Sequence, residues 1–182
     1  YYTNPEYVEK CRLQKILNKL SYEINVNEPS GLTLEDFKKV LSNNPRDVNK
    51  IFEDNAEVFY NLEQKYRING LFIAALGIHE SAWGTSAIAK DKLNLFGYGA
   101  YDDTPYESAL TFNSYAEGIE TVTKSLIKNY LNVAGTEIYD GEIATGKYYH
   151  GTTIASINVK YATDENWANA IYNILEGLYE KL

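Results

Sequence analysis

The fold is decided by an apolar stretch that reads Leu71-Phe72-Ile73-Ala74-Ala75-Leu76-Gly77-Ile78. The turn sequence Asn69-Gly70 precedes it, and every face of a helix over this stretch is apolar. Because a helix that is apolar all round must be buried on all sides, we expect this segment to lie at the centre of the domain. The stretch is shorter than the roughly 20 apolar residues that a membrane-spanning helix needs, so no membrane span is predicted.

A carboxyl group stands at the end of this apolar segment, in the run His79-Glu80-Ser81-Ala82-Trp83-Gly84. Burial disfavours the charged form of a carboxyl group, so the pKa of Glu80 should lie above its ordinary value. An acid that stays protonated near neutral pH is what a glycosidase uses to protonate a leaving oxygen. Glu80 is therefore a candidate general acid. The plainer alternative is a backbone cap or an ion pair with Arg67 or Lys90.

Most of the remaining chain shows the helical spacing of apolar residues. Periodicity and capping residues predict helices over residues 6–20, 33–44, 46–66, 114–130, 152–161 and from 164 towards the C-terminus. Residues 94–113 differ, because glycines, aspartates and Pro105 alternate there with tyrosines, and this pattern favours loops with a short hairpin. We therefore predict an α+β fold that is mostly helical, with one small extended lobe inserted between the helices.

The composition of the 182 residues excludes several classes of protein. The length suits one domain, and the formal net charge of −8 argues against a nucleic-acid binder, which needs a basic surface. With Cys11 as its only cysteine and two histidines, the sequence predicts neither a disulfide nor a cysteine-rich zinc site, and it implies no metal or organic cofactor. The sequence contains no Met, which is typical of a processed or excised piece of a longer protein.

Tyrosine is unusually frequent, with 17 residues against 6 Phe and 2 Trp. A tyrosine ring has an apolar face and a polar hydroxyl, so it suits a surface that binds a sugar. Low-GC codon usage is the alternative explanation of the count. Tyrosines that could form such a surface lie in the loop-rich segments: Tyr98, Tyr101, Tyr106, Tyr148 and Tyr149.

Three parts of the sequence carry a family resemblance. They are the run from Leu76 to Ser86 followed by Asn94-Leu95-Phe96-Gly97, then Gly99-Ala100-Tyr101-Asp102 with Pro105-Tyr106, and Val159-Lys160-Tyr161-Ala162-Thr163-Asp164 with Trp167. In order and spacing they resemble the bacterial endo-β-N-acetylglucosaminidases of glycoside hydrolase family 73, which are peptidoglycan-cleaving autolysins. Residues 1–46 carry no matching motif and are interpreted as an N-terminal helical extension. Residues 47–182 are interpreted as the catalytic domain, and the two parts are expected to form one compact unit.

The resemblance implies a lysozyme-like fold, in which a helical lobe faces a small β-containing lobe across a groove. It assigns Glu80 the role of general acid and Tyr161 the positioning of the sugar at the cleaved bond. Asn94 and Phe96 are expected to shape the floor of the site. Trp83 either supports the helix that carries Glu80 or stacks on a sugar.

A second carboxylate is expected across the groove. Asp102 is the first choice, because it matches the Tyr-Asp pair of the Gram-positive branch of the family, and Asp103 and Glu107 follow. Turn formation is the alternative role for the two aspartates, since Asp-Asp-Thr-Pro is a good turn sequence. Two mechanisms stay open: an inverting attack by water, or retention through the N-acetyl group of the substrate.

The function that the resemblance implies is hydrolysis of the β-1,4 bond between N-acetylglucosamine and N-acetylmuramic acid in peptidoglycan. We expect a secreted, monomeric catalytic module of a larger wall-anchored protein that acts in the cell wall. One alternative is a lytic transglycosylase or muramidase on the same fold, which cuts the other glycosidic bond. The second is a catalytically silent wall-binding module.

Overall fold

The computed structural model describes residues 4–100 and 103–182. Within these ranges the chain forms ten helices: α1 (Pro5–Asn18), α2 (Leu34–Leu41), α3 (Ile51–Asp54), α4 (Ala56–Tyr66), α5 (Gly70–Ser81), α6 (Ala87–Lys92), α7 (Pro105–Ser108), α8 (Tyr115–Asn129), α9 (Ile154–Tyr161) and α10 (Trp167–Tyr179). None of the described helices has both the length and the apolar character needed to cross a membrane. The mostly helical class predicted from the sequence is confirmed for these residues.

Helix α5 lies at the centre of the fold, as predicted. Every residue from Gly70 to Ile78 is buried, and the helix packs against α4 and α10. The side chain of Asn69 starts the helix by accepting a hydrogen bond from the N–H of Phe72 at 3.0 Å. Gly70 is needed in the first turn, because a Cβ there would lie 2.5 Å from the carbonyl oxygen of Phe59. The close approach of α4 helps to enclose the apolar helix.

The helices before α5 begin where local capping chemistry predicts, with one exception. Thr33 and Asp36 form a reciprocal capping box that starts α2. The single helix predicted over residues 46–66 is instead two helices, α3 and α4, which break at Asn55. The buried carboxylate of Asp47 accepts the first three N–H groups of α3, so residues 46–50 form a turn in front of that helix.

The segment before α3 contributes to the same core as α5. Its buried apolar residues belong to the central cluster: Ile24, Val26, Leu32, Phe37, Val40 and Leu41. Helix α1 lies at the surface and has no fully buried residue. An ion pair between Arg12 and Asp36, with an N–O distance of 3.0 Å, joins α1 to α2.

The short hairpin predicted within residues 94–113 is not found in the described part of that segment. Helix α7 lies there, and Pro105 occupies its first turn, where a missing N–H leaves no helical hydrogen bond unmade. The ammonium group of Lys92 donates to three carbonyl oxygens within residues 106–109, so these oxygens are not available to a partner strand. An isolated antiparallel β-bridge joins Glu137 and Ile143 instead, in a segment that the sequence pattern predicts as loop.

The carboxyl group of Glu63 connects the N-terminal segment to the central helix. Glu63 is fully buried, and its Oε1 accepts hydrogen bonds from the backbone N–H groups of Gly70 and Ser30, both at 3.0 Å. Its Oε2 has no hydrogen-bond partner among the described residues. Burial raises the pKa of Glu63, although the backbone hydrogen bonds lower it in part.

Replacing Glu63 with Gln should reduce the dependence of stability on pH. The pKa of Glu63 is higher in the folded protein than in the unfolded chain. The wild-type free energy of unfolding is therefore highest at pH values below the ordinary carboxyl pKa. That free energy then falls as pH rises through the folded-state value, by at most about 1.4 kcal/mol per pH unit. The glutamine has no proton to lose, so its curve should be flatter. Urea unfolding from about pH 4 to pH 8 measures both slopes.

Glu57→Gln is the matched control, because Glu57 lies on the same helix and is exposed. Its slope should equal that of the wild type. Equal slopes for Glu63→Gln and the wild type would contradict the assignment of this pH dependence to Glu63.

Candidate active site

Glu80 lies in the last turn of α5 and is only partly exposed. Its Oε1 accepts a hydrogen bond from the indole Nε1–H of Trp167 at 2.8 Å. Trp167 is 3% exposed and is the first residue of α10, so the packing of α10 on α5 brings the two side chains together. Burial raises the pKa of Glu80, while the Trp167 hydrogen bond and the charge of His79 lower it in part.

The chain turns sharply after Glu80. Ala82, Trp83 and Gly84 have φ values of 49°, 60° and 74°, which lie in the left-handed region. The hydroxyl of Ser81 stabilises the turn, because it donates to the carbonyl oxygen of Gly77 and accepts from the N–H of Gly84. A Cβ on Gly84 would lie 2.7 Å from Cδ1 of Ile51, so this position has both a backbone and a packing reason to be glycine.

Trp83 points to a different part of the molecule from the Glu80 carboxyl. Its ring meets Phe52 edge to face, with the ring centroids 5.8 Å apart. It also lines a cavity formed by residues 44–46 and the second half of α10, whereas Glu80 contacts Trp167 at the start of α10. These contacts favour the supporting role of Trp83 over the sugar-stacking role, and both remain predictions.

A row of aromatic rings leads away from Glu80. The ring centroid of Tyr161 lies 5.2 Å from that of Trp167 and 5.5 Å from that of Tyr130, and Tyr130 lies 5.1 Å from Tyr148. We call these four residues the aromatic row. Burial, and after it the charge of Glu80, raises the pKa of Tyr161, so its hydroxyl stays protonated and can donate a hydrogen bond.

The sequence pattern does not mark two members of the aromatic row as site residues. Tyr130 and Trp167 have helical spacing, which predicts packing positions, and both do pack against other rings. The one feature of the sequence that could indicate a site role for Trp167 is its place beside the Val159–Asp164 run of the family pattern. No local pattern indicates that Tyr130, at the end of α8, lies against Tyr161 at the end of α9.

Asn94 organises the backbone next to the site. It is 1% exposed, and its Nδ2 donates to the carbonyl oxygens of Tyr98 and Leu110, both at 2.9 Å. Its Oδ1 accepts from the N–H groups of Phe96 and Tyr98 at 3.2 and 3.0 Å. One side chain therefore closes the 94–98 turn and attaches it to the far end of the lobe, and the role of Asn94 in shaping the floor of the site stays a prediction.

The other predicted groove residues lie in different surroundings. Tyr98 is partly buried and lies close enough to Tyr130 and Tyr161 to contribute to their raised pKa values. The hydroxyl of Tyr106 donates to Asp91 at 2.9 Å, so this exposed ring contacts α6. Tyr149 is partly buried near Tyr148 in the 146–150 turn.

Phe96 is buried and packs near Gly77 of α5. Tyr101 and Asp102 lie outside the described residues. Asp103 and Glu107 are exposed.

Across residues 4–100 and 103–182, no group of three or more His, Cys, Asp or Glu side chains has the geometry to hold a metal ion.

A family model matches most of the chain that carries this site. Residues 56–180 match the family Glucosaminidase, described as mannosyl-glycoprotein endo-beta-N-acetylglucosaminidase. The chain belongs to the glucosaminidase family. The family resemblance seen in the sequence is thereby confirmed.

Relatives of this glucosaminidase domain occur in longer bacterial proteins. It is 35% identical over 158 residues to a Streptococcus pneumoniae protein named for endo-beta-N-acetylglucosaminidase activity, covering 87% of this chain and 22% of that protein. It is 24% identical over 179 residues to the bifunctional autolysin of Staphylococcus aureus, covering 90% of this chain and 14% of that protein. The chain thus spans less than a quarter of these relatives.

Solved structures share the fold of the glucosaminidase domain. The major bifunctional autolysin superposes with a TM-score of 0.59 at 22% identity, covering 95% of this chain and 72% of that chain. A catalytic Glu-to-Ala mutant of S. aureus autolysin E, in complex with the disaccharide NAG-NAM, superposes with a TM-score of 0.58 at 16% identity, covering 92% of this chain and 77% of that chain. At these identities the likeness establishes the fold.

Replacing Asn94 with Asp should destabilise the domain by roughly 2–4 kcal/mol, because two buried hydrogen-bond donors are lost and a carboxylate faces two carbonyl oxygens. Asn61→Asp is the control, since Asn61 is exposed on α4 and should tolerate the change. Denaturant unfolding near neutral pH measures both free energies. Equal free energies of unfolding for the two variants would contradict the organising role of Asn94.

Proposed function

We propose that this domain is a peptidoglycan hydrolase that cleaves the β-1,4 bond between N-acetylglucosamine and N-acetylmuramic acid. The observation that carries the proposal is the Glu80 carboxyl, held half-buried at the end of α5 with a raised pKa. Membership of the glucosaminidase family supports the same reaction class. So does the NAG-NAM complex of autolysin E, a protein with the same fold.

Glu80 acts as the general acid in this proposal. Its raised pKa keeps a larger fraction of the carboxylic acid at a given pH than an exposed glutamate has. As the glycosidic bond breaks, the acid proton moves to the bridging oxygen, Glu80 becomes a carboxylate, and positive charge develops on the sugar ring. Water then adds to the anomeric carbon and gives up one proton to a carboxylate of the site, which completes the hydrolysis.

The three partly exposed members of the aromatic row, Tyr130, Tyr148 and Tyr161, supply the surface on which the proposed substrate lies. The protonated hydroxyl of Tyr161 is beside the acid and offers a hydrogen bond to the sugar at the cleaved position. Tyr98 extends this surface, and the predicted contacts of Tyr101, Tyr106 and Tyr149 would continue it. We further propose that the lobe containing residues 94–113 faces the helices across a groove, as in lysozyme-like folds.

The second carboxylate in this proposal comes from the same lobe. Asp102 is the first candidate, and Asp103 and Glu107 are the alternatives; the last two are exposed. Such a group either activates water or orients the N-acetyl group of the substrate. A carboxyl separation of about 6.5–9.5 Å suits the inverting reaction, whereas about 5–5.5 Å suits direct nucleophilic attack.

We also propose that the domain is a secreted, monomeric module of a larger wall-anchored protein. This chain covers less than a quarter of the length of its relatives, which supports a modular organisation. In this proposal residues 1–46 are a helical extension packed on a catalytic domain formed by residues 47–182. A net charge of −8 gives no attraction to an anionic wall, so binding relies on stacking, hydrogen bonds and anchoring modules.

Glu80→Gln should lower the rate of cell-wall hydrolysis by about 100- to 10,000-fold, because the amide cannot donate the acid proton. The protein should stay folded, since the amide oxygen still accepts from Trp167. Turbidity of purified cell walls measures activity, and thermal unfolding checks the fold. Exposed Glu180 provides the control Glu180→Gln, which should retain full activity. A folded Glu80→Gln variant with near-normal activity would show that the acid is misassigned.

The products distinguish the proposed reaction from its alternatives. Mass spectrometry of digested peptidoglycan should show N-acetylglucosamine at the new reducing ends. Anhydromuramyl products would indicate a lytic transglycosylase, and reducing N-acetylmuramic acid would indicate a muramidase. Binding of cell walls without any cleavage by the wild type would indicate a silent wall-binding module.

Asp102→Asn should reduce activity by about 100-fold more than Asp103→Asn, because only the first is expected to face the developing charge. The rates of the two variants on the same purified peptidoglycan provide the measurement, with each serving as the control for the other. Equal losses, or a larger loss for Asp103→Asn, would move the role to a neighbouring carboxylate.

A further inference from the structure

The hydrogen bond between Trp167 and Glu80 restricts the chemistry of the acid. An indole N–H is a donor only, so the oxygen it contacts must act as an acceptor in both charge states of the carboxyl group. Glu80 Oε1 is that oxygen, at 2.8 Å. In a protonated carboxyl the carbonyl oxygen is the better acceptor, and the other oxygen then carries the proton.

We propose that Trp167 is a positioning residue that holds the Glu80 carboxyl in one orientation and places its acid proton on Oε2. This inference rests on the proposed function, because it concerns the proton that Glu80 delivers. The Oε2–H bond breaks as an O–H bond forms on the bridging oxygen of the leaving sugar. The electron pair of the broken bond stays on Glu80, which becomes a carboxylate.

The same hydrogen bond strengthens as the proton leaves. Before transfer it joins two neutral groups, and after transfer it becomes charge-assisted, which is roughly twice as strong. An interaction that is stronger at the transition state than in the ground state accelerates the reaction. Trp167 therefore stabilises the charge that develops on Glu80 in a place where burial disfavours that charge.

The surroundings of Trp167 fix the direction of its N–H. The indole is buried and packs against the Tyr161 ring at an interplanar angle of 35°. Asn158 stabilises the turn between α9 and α10. Its Nδ2 donates to the carbonyl oxygens of Ala162 and Asp164 at 3.1 and 3.0 Å. Its Oδ1 accepts from the first turn of α10. These bonds hold Tyr161 and Trp167 in a fixed relation on either side of the turn.

Trp167→Phe tests the proposal by removing the donor while keeping an aromatic ring against Tyr161. With soluble peptidoglycan fragments as substrate, kcat should fall by about 10- to 100-fold with little change in KM. The alkaline limb of the pH profile of kcat/KM should move to higher pH, because the hydrogen bond that favours the carboxylate is gone. Tyr172→Phe, on the same helix, loses a hydrogen bond to Glu176 and should leave both the rate and the profile unchanged.

A second variant separates the effect of losing the N–H from the effect of changing the shape of the side chain. Benzothienylalanine at position 167 replaces the N–H with sulfur and fills nearly the same volume, so it decides the question if the phenylalanine variant does not fold. The same lower kcat and the same alkaline shift should appear.

A lower kcat without a shift of the alkaline limb, a higher KM at unchanged kcat, or wild-type behaviour would each overturn the proposal. Glu80→Gln distinguishes the two levels of inference. If that variant is inactive while both Trp167 variants behave as wild type, the proposed function stands and the role of Trp167 is wrong.

Discussion

The structure depends on one constraint, the removal of every face of α5 from water. A helix without a polar face can be stable only where other elements enclose it, and α4 and α10 do so. Glu80 lies in the last turn of the same helix, so the force that buries the apolar residues also draws a carboxyl group towards the interior. The raised pKa of Glu80 follows from this placement and needs no neighbouring negative charge.

Two opposing effects then set the properties of that carboxyl group. Burial favours the neutral acid, whereas the N–H of Trp167 favours the carboxylate. A general acid needs both states to be accessible, because it must hold a proton before the reaction and carry a charge after it. Glu63 is the contrasting case, since its buried carboxyl bonds two backbone N–H groups and joins two segments of the core.

Much of the helical framework could be predicted because its signals are local. The starts of α2, α8 and α9 follow from Thr33, Ser114 and Thr153, whose side chains accept N–H groups within the next few residues. The break at Asn55 and the helix α7 could not be predicted in the same way. No local capping signal marks that break, and α7 lies where Lys92 reaches carbonyl oxygens more than a dozen residues away.

The sequence by itself determined that a buried helix carries Glu80 at its end, because apolar periodicity and the adjacent motif are properties of neighbouring residues. It also indicated Tyr161 and the family of the chain. Only the tertiary structure decided that Trp167 donates to Glu80 and that Tyr130 and Tyr148 continue the aromatic row. Glu80 and Trp167 lie 87 residues apart, and their contact follows from the packing of α10 on α5. No local pattern encodes a contact that depends on how two helices pack.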